Sequence, residues 1–207
     1  MYIPRHFAVE DSAAQHFLQN LKSGHLVTST VNGIKSTMIP VFFDSKNKSI
    51  LGHLARGNSQ WSEKPLHETL FISAPIDAYI SPSWYSSKKE HGKVVPTWDY
   101  MLAHVYGNLI IHDDVVWLRQ AVSDLTDSFE KNRTKPWNLD EAPEDYIEGQ
   151  LRAIVGIELK ISHFDVSFKM SQNKSQADLD GVIAGLRSDN RQDASNEVSN
   201  LRRDKGQ

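Results

Sequence analysis

Two turn signals near the start of the chain, Asn32-Gly33 and Asp44-Ser-Lys-Asn47, separate three runs rich in Val, Ile, Thr and Phe. Asn-Gly supplies the positive φ angles that a two-residue hairpin turn requires, and β-branched and aromatic side chains suit a pleated surface. The pattern predicts three consecutive antiparallel strands over residues 25–30, 34–43 and 49–55. A chain that starts this way is committed to an antiparallel sheet.

The other elements arrange themselves around that sheet. Ahead of it, Asp11 caps a helix in which Ala14, Phe17, Leu18 and Leu21 recur at helical spacing, and Gly24 is its stop. After a loop or short helix over 58–68, strands are expected at 70–74, 78–81 and 104–111, and a long one at 154–164. Residues 82–100 contain Pro82, Gly92 and Pro96 but also Trp84, Tyr85, Trp98 and Tyr100. A loop that aromatic should cover the barrel or a partner subunit, since in solvent it would expose a large apolar patch.

Leu118, Val122, Leu125 and Phe129 form one stripe of a helix that begins with Asp113-Asp114. Further helices are expected over 144–153 and 178–186. The polar stretch from 188 to 207 reads as a frayed tail. Hairpin strands first, with helices inserted later, give an α+β fold with an antiparallel barrel. The expected organisation is one domain over 1–186 and a polar tail over 187–207.

Composition removes several function classes. The 207 residues include no cysteine, which excludes disulfides, thiolate metal sites and a cysteine nucleophile. A net charge of -3 has the wrong sign for a surface adapted to nucleic acid. Mean hydropathy is -0.47, with only short apolar runs, so no membrane span is expected. Glu10 and Asp11 follow closely on Met1-Tyr-Ile-Pro-Arg-His-Phe7. No leader peptide is therefore expected, and the expected location is the cytoplasm. The nine histidines are scattered without metal-ligand spacing, and no G-x-G-x-x-G, P-loop or G-x-S-x-G pattern occurs.

Four segments supply polar donors or ligand-sized aromatics. Gly52-His-Leu-Ala-Arg-Gly-Asn58 ends a strand in a small-residue turn that presents His53, Arg56 and Asn58 together. Arg56 offers a planar fork suited to phosphate, although a surface ion pair explains one Arg beside a Gly equally simply. Thr37 lies on the neighbouring strand, where Pro40 marks an edge or bulge. Tyr79-Ile-Ser-Pro-Ser-Trp-Tyr85 and Val94-Val-Pro-Thr-Trp-Asp-Tyr100 supply flat rings and hydroxyls, suited to a planar ligand or to a subunit interface. Lys169-Met-Ser-Gln-Asn173 either brings a cation to a barrel mouth or caps a turn.

These segments, together with the first seven residues, resemble the PaiB family, described as FMN-binding negative transcriptional regulators, in the family's order and over residues 1 to about 186. The resemblance implies a six-stranded antiparallel split barrel with flanking helices, dimerising with FMN at the subunit boundary. It assigns Thr37, His53, Arg56 and Asn58 to the flavin phosphate region, Thr97 and Trp98 to the ring from the other subunit, and Lys169 and Gln172 to closing the site. Three positions depart from the family pattern: Ser59 where Pro is usual, Asp99 where Asn is usual, and Met170 where Leu is usual.

Three readings of function stand at this point. One is a flavin-binding regulator that acts indirectly, through a partner or a small-molecule ligand, with direct DNA binding disfavoured by charge. Another is an FMN-dependent oxidoreductase acting on a small substrate, so whether the chain is an enzyme stays open. The third is a haem-handling protein with His53, His104 or His112 as candidate axial ligands.

Overall fold

The structure is a computed structural model that describes residues 1–204. At the Asn32-Gly33 turn, Gly33 takes a φ of +105°, the left-handed conformation that glycine adopts without a Cβ penalty. It joins β1 (Ser23–Thr30) to β2 (Gly33–Asp44), which pair antiparallel from Thr30↔Gly33 to Ser23↔Pro40. β3 (Ser49–Ala55) continues the hairpin series, pairing with β2 from Asp44↔Ser49 to Val41↔Gly52.

β4 (Thr69–Ile80), β5 (Thr97–His112) and β6 (Ile154–Lys169) complete the sheet. The six strands hydrogen-bond in the order β1-β2-β3-β6-β5-β4 and close into a barrel. β3 meets β6 antiparallel from Ser49↔Lys160 to Ala55↔Ile154, and β4 meets β1 antiparallel around Leu26↔Phe71. Among the described residues six α-helices accompany them: α1 (Asp11–Gln19), α2 (Ser87–His91), α3 (Val115–Glu130), α4 (Glu144–Arg152), α5 (Gln176–Ser188) and α6 (Gln192–Asp204). This is the expected α+β, six-stranded antiparallel barrel.

The structure differs from the sequence expectations in several places. The helix expected to stop at Gly24 ends at Gln19, and Gly24 lies in β1, paired with Ile39. The strands expected at 70–74 and 78–81 are one strand, β4, in which burial shifts from odd positions (Thr69, Phe71, Ser73) to even ones (Ala78, Ile80) across Pro75. Proline lacks the ladder donor and reads as a break, yet the chain passes it by changing phase. The loop expected over 82–100 contains α2, and its last residues begin β5. The tail expected to fray forms α6, with Ala194 and Val198 buried, although residues 205–207 lie outside the described residues.

The backbone divides into two compact units. In the unit made of Ser12–Ser73 and His104–Asp165, Leu26, Val41, Ile50, Phe71, Val105 and Ile157 are fully buried. A satellite cluster of Leu118, Leu139, Ile147 and Leu151 joins α3 and α4. A Cβ at Gly156 of β6 would lie 2.2 Å from the Trp117 ring, so glycine there lets α3 approach the strand.

The other unit comprises Met1–Asp11, Ala74–Ala103 and the residues from Val166 on. Here Trp84 rests on α5, where a Cβ at Gly185 would come within 2.2 Å of its indole, and Tyr85 is buried. The Asp178 carboxylate accepts hydrogen bonds from the Ser87 backbone N–H (2.9 Å) and from the hydroxyls of Ser86 (3.1 Å) and Ser87 (3.0 Å), which ties the start of α2 to α5. Two of the four aromatics of the 82–100 segment thus pack within their own unit. Among the described residues no helix is long and apolar enough to cross a membrane.

Candidate functional site

Thr37 and Asn58 come together through a glutamine that the sequence reading passed over. The Thr37 hydroxyl donates to Gln60 Oε1 (2.6 Å) and accepts from Asn58 Nδ2 (2.9 Å), while Asn58 Oδ1 accepts from the Gln60 backbone N–H (2.9 Å). Gln60 is buried, and its Nε2 donates to the Leu26 carbonyl (2.9 Å) and to Thr28 Oγ1 (3.2 Å), which fixes the group against β1. Beside it Lys35 donates to Ser59 Oγ (2.7 Å) and pairs with Glu63. The signal for this arrangement was the Asn two residues before the Gln, an Asx turn that caps the short turn Ser59–Trp61.

Arg56 is engaged elsewhere. Its Nε donates to the Arg152 carbonyl (2.7 Å), Nη2 to the Ile154 carbonyl (3.0 Å), and Nη1 and Nη2 to the two carboxylate oxygens of Asp113. The hydrogen bond to Asp113 raises the arginine pKa, and the same bond lowers that of Asp113. Asp113 stands before α3, whose N-cap is Asp114, accepting from the Trp117 N–H (2.8 Å). The ion-pair reading of Arg56 is therefore the one its contacts match in this conformation.

His53 faces neither group through any hydrogen bond. It lines a cavity of about 190 Å³ with Val122, Trp137, Leu139, Ile147 and Leu151 among others, and burial lowers its pKa. Of the other candidate haem ligands, His112 has its Nε2 on Glu158 (2.9 Å), which Ser49 also contacts (2.8 Å), and its ring stacks on Trp117 at 3.8 Å. That arrangement engages Nε2 of the His112 ring. Burial lowers the pKa of His104.

In the other unit, the structure brings Thr97, Trp98 and Lys169 into one constellation. Lys169 Nζ donates to Thr97 Oγ1 (2.7 Å) and to the Trp98 carbonyl, and lies over the rings of Phe7 (5.7 Å) and Tyr100 (5.9 Å). Trp98 is 55% exposed and its ring meets Tyr79 edge-on at 6.0 Å, while the part of Trp98 that Lys169 reaches is its backbone carbonyl. Gln172 serves the turn: its Oε1 accepts from the Met170 N–H (2.7 Å) and its Nε2 donates to the Phe168 carbonyl.

Asp99 sits at the centre of this group. Along β5 the buried positions are the odd ones, and Asp99 is the first of them, fully buried in the row that continues with Met101, Ala103 and Val105. Oδ2 accepts from Ser171 Oγ (2.7 Å), whereas Oδ1 lies 3.7 Å from Lys169 Nζ, an ion-pair distance too long for a hydrogen bond. Burial outweighs both partners and pushes the carboxyl up to about 6. The same burial lowers Lys169, opposed by the Asp99 charge, and raises Tyr85 to about 12. Ser171 adopts a left-handed φ of +56°, unusual outside glycine and asparagine, to reach this position.

With the geometry set out, the comparisons with known proteins identify the family. The family model described as "Putative FMN-binding domain" matches residues 1–163. "Protease synthase and sporulation protein PAI 2" of Bacillus subtilis (strain 168) is 31% identical over 211 residues, spanning 99% of this chain and 98% of the relative. An uncharacterized protein of Emericella nidulans is 29% identical over 243 residues, spanning 98% and 96%. Among solved structures, a conserved hypothetical protein of Mycobacterium tuberculosis superposes with a TM-score of 0.59 at 10% identity, covering 85% of this chain and 95% of that one. The flavocytochrome Anf3 of Azotobacter vinelandii superposes with a TM-score of 0.56 at 10% identity, covering 81% and 72%. At those identities the structures show the shared fold alone. The chain belongs to the FMN-binding domain family, is related along nearly its whole length to PAI 2, and has FMN as the cofactor that this membership assigns.

Proposed function

We propose that the chain is a flavin-binding regulator that takes FMN in a pair of identical subunits. The observation that carries this reading is Lys169, a half-buried cation fixed by the Thr97 hydroxyl and the Trp98 carbonyl over the rings of Phe7 and Tyr100, with the Trp98 side chain exposed in the same unit. The donor set fits FMN. An isoalloxazine needs a flat aromatic neighbour, and a fixed cation stabilises the negative charge that gathers on the ring when it is reduced. When bound, the flavin supplies the redox chemistry; Lys169, Thr97 and Trp98 orient it, and Gln172 holds the turn that places Lys169.

Thr37, Arg56 and Asn58 are the proposed phosphate donors, with the Trp98 group supplied by a second copy. A phosphate arriving at Arg56 must replace Asp113. Both partners of that pair are well exposed, where ion pairs contribute little, while a doubly charged phosphate on a forked guanidinium makes a stronger, charge-assisted contact. The exchange is therefore downhill in direction.

Pairing of two copies is supported by exposed apolar side chains. Ile34 (78% exposed) and Met38 (57%) lie on β2, with Val31 (82%) in the turn before it, and Tyr79 and Trp98 are about half exposed. The regulatory part of the reading rests on the relation to PAI 2, whose name joins it to protease synthesis and sporulation. With a net charge of -3, the effect is proposed to run through a partner or a small molecule and not through direct DNA contact. Titration of the purified protein with FMN and riboflavin tests the proposal: it requires saturable binding of FMN, and it fails if FMN does not bind.

A further inference from the structure

The satellite core beneath α3 and α4 contains a polar group that packing does not need. Its buried members are Leu118, Leu139, Ile147 and Leu151, with Val122 and Ile154 packed against them. A strand residue facing such a cluster is ordinarily aliphatic. In its place stands His53, at the wall of a cavity of about 190 Å³.

The imidazole there is neutral at pH 7, because burial lowers its pKa. A neutral ring has one N–H donor and one bare nitrogen acceptor, and no hydrogen bond to either occurs among the described residues. Thr126, Gln150 and the Trp137 indole N–H are the remaining polar lining groups, and the Thr126 hydroxyl already donates to the Val122 carbonyl (2.8 Å). No Lys, Arg, Asp or Glu lines the cavity. A charged occupant would thus find no ionic partner in the wall.

Size narrows the class further. A dry apolar cavity of about 150 Å³ admits benzene, so this one accommodates a single aromatic ring with a polar substituent and is too small for a tricyclic flavin or a haem. We infer that the cavity is a binding site for a neutral monocyclic phenol, its hydroxyl bonded to His53 and its ring among Val122, Trp137, Leu139, Ile147 and Leu151. His53 is also one of the residues that the family resemblance assigns to the flavin phosphate region, so competition by FMN is part of the test.

The test is titration of the full chain with p-cresol, followed by Trp fluorescence and by the His53 ring resonances, with toluene as the probe that lacks the hydroxyl. Saturable p-cresol binding is expected, stronger than toluene binding by about threefold to tenfold, the value of one neutral hydrogen bond. In a folded His53→Leu protein the two probes should bind alike. Ile147→Trp, which fills the cavity and keeps His53, should abolish both. The inference is overturned if p-cresol fails to bind the wild-type chain at millimolar concentration. Equal preference for p-cresol in wild type and His53→Leu overturns it too, as does displacement of p-cresol by FMN with a matching shift of the His53 ring, which would give the cavity to the flavin.

Discussion

Asp113 grips both terminal nitrogens of Arg56, so the best phosphate fork in the chain is already occupied by a carboxylate. If Arg56 is the phosphate ligand, Asp113 is its competitor. Asp113→Asn should then strengthen FMN binding several-fold and leave riboflavin, which has no phosphate, unchanged. Arg56→Ala should weaken FMN about tenfold or more, again sparing riboflavin. Fluorescence titration of both flavins against the two variants checks this. If Arg56→Ala binds FMN as tightly as wild type, Arg56 is a surface ion-pair residue and nothing more.

Asp99 gives the protein a pH signature. Its folded pKa of about 6 lies above the ordinary 3.8, so between those values the folded chain holds a proton that the unfolded chain has released. The stability this contributes is complete below about 3.8 and is lost as pH rises through 6. At pH 7.5 the ionised carboxylate costs on the order of 3 kcal/mol, partly offset by what its charge does for Lys169. Asp99→Asn should raise Tm by several degrees at pH 7.5 and by little at pH 4. Thermal melts at the two pH values decide it; an equal gain at both would show that the carboxyl is not the titrating group.

Gly185 and Gly149 are both helical glycines with opposite expected behaviour. A Cβ at Gly185 meets the Trp84 indole at 2.2 Å, whereas one at Gly149 meets nothing within 4 Å. Gly185→Ala should destabilise by roughly 1–3 kcal/mol through overpacking. Gly149→Ala should stabilise by about 0.4–1 kcal/mol, because alanine has fewer unfolded conformations to lose. Denaturant midpoints measure both, and a neutral Gly185→Ala would mean that Trp84 is free to move off α5.

Much of the fold was legible because it is written in local periods. Asn32-Gly33 announced the first hairpin, and the Val-, Ile-, Thr- and Phe-rich runs around it announced β1, β2 and β3. The two strands expected at 70–74 and 78–81 are one because β4 passes Pro75 by a change of phase that shows only in its burial pattern. The tail misled because a helix as polar as α6 shows its two apolar anchors, Ala194 and Val198, only against the surface they cover. At the candidate site, the family resemblance pointed to Thr97, Trp98 and Lys169, while the segments by themselves fitted an interface or a turn cap equally well. Their convergence depends on pairings 72 residues apart, such as Lys169 with Thr97, which no local pattern encodes. Gln60 and Asp113 were missed for the same reason: each matters only through a partner distant in sequence.

Pairing of copies has its own test. Ile34→Lys and Met38→Glu place charges on the apolar face of β2, and together they should shift the protein from about twice 23.5 kDa to that monomer mass in sedimentation equilibrium. A wild-type chain that sediments as a monomer at micromolar concentration would remove the paired-subunit reading.

Lys169 bears most of the flavin reading, and one measurement reaches it directly: the visible spectrum and fluorescence of FMN titrated into wild type and Lys169→Met, with circular dichroism as the check on folding. Wild type should quench FMN fluorescence saturably and perturb its absorbance, and Lys169→Met should bind at least about tenfold more weakly, since it loses a charge-assisted contact. Identical binding and identical spectra in a folded Lys169→Met protein would contradict the proposed site, and no binding by wild type would contradict flavin as this chain's ligand.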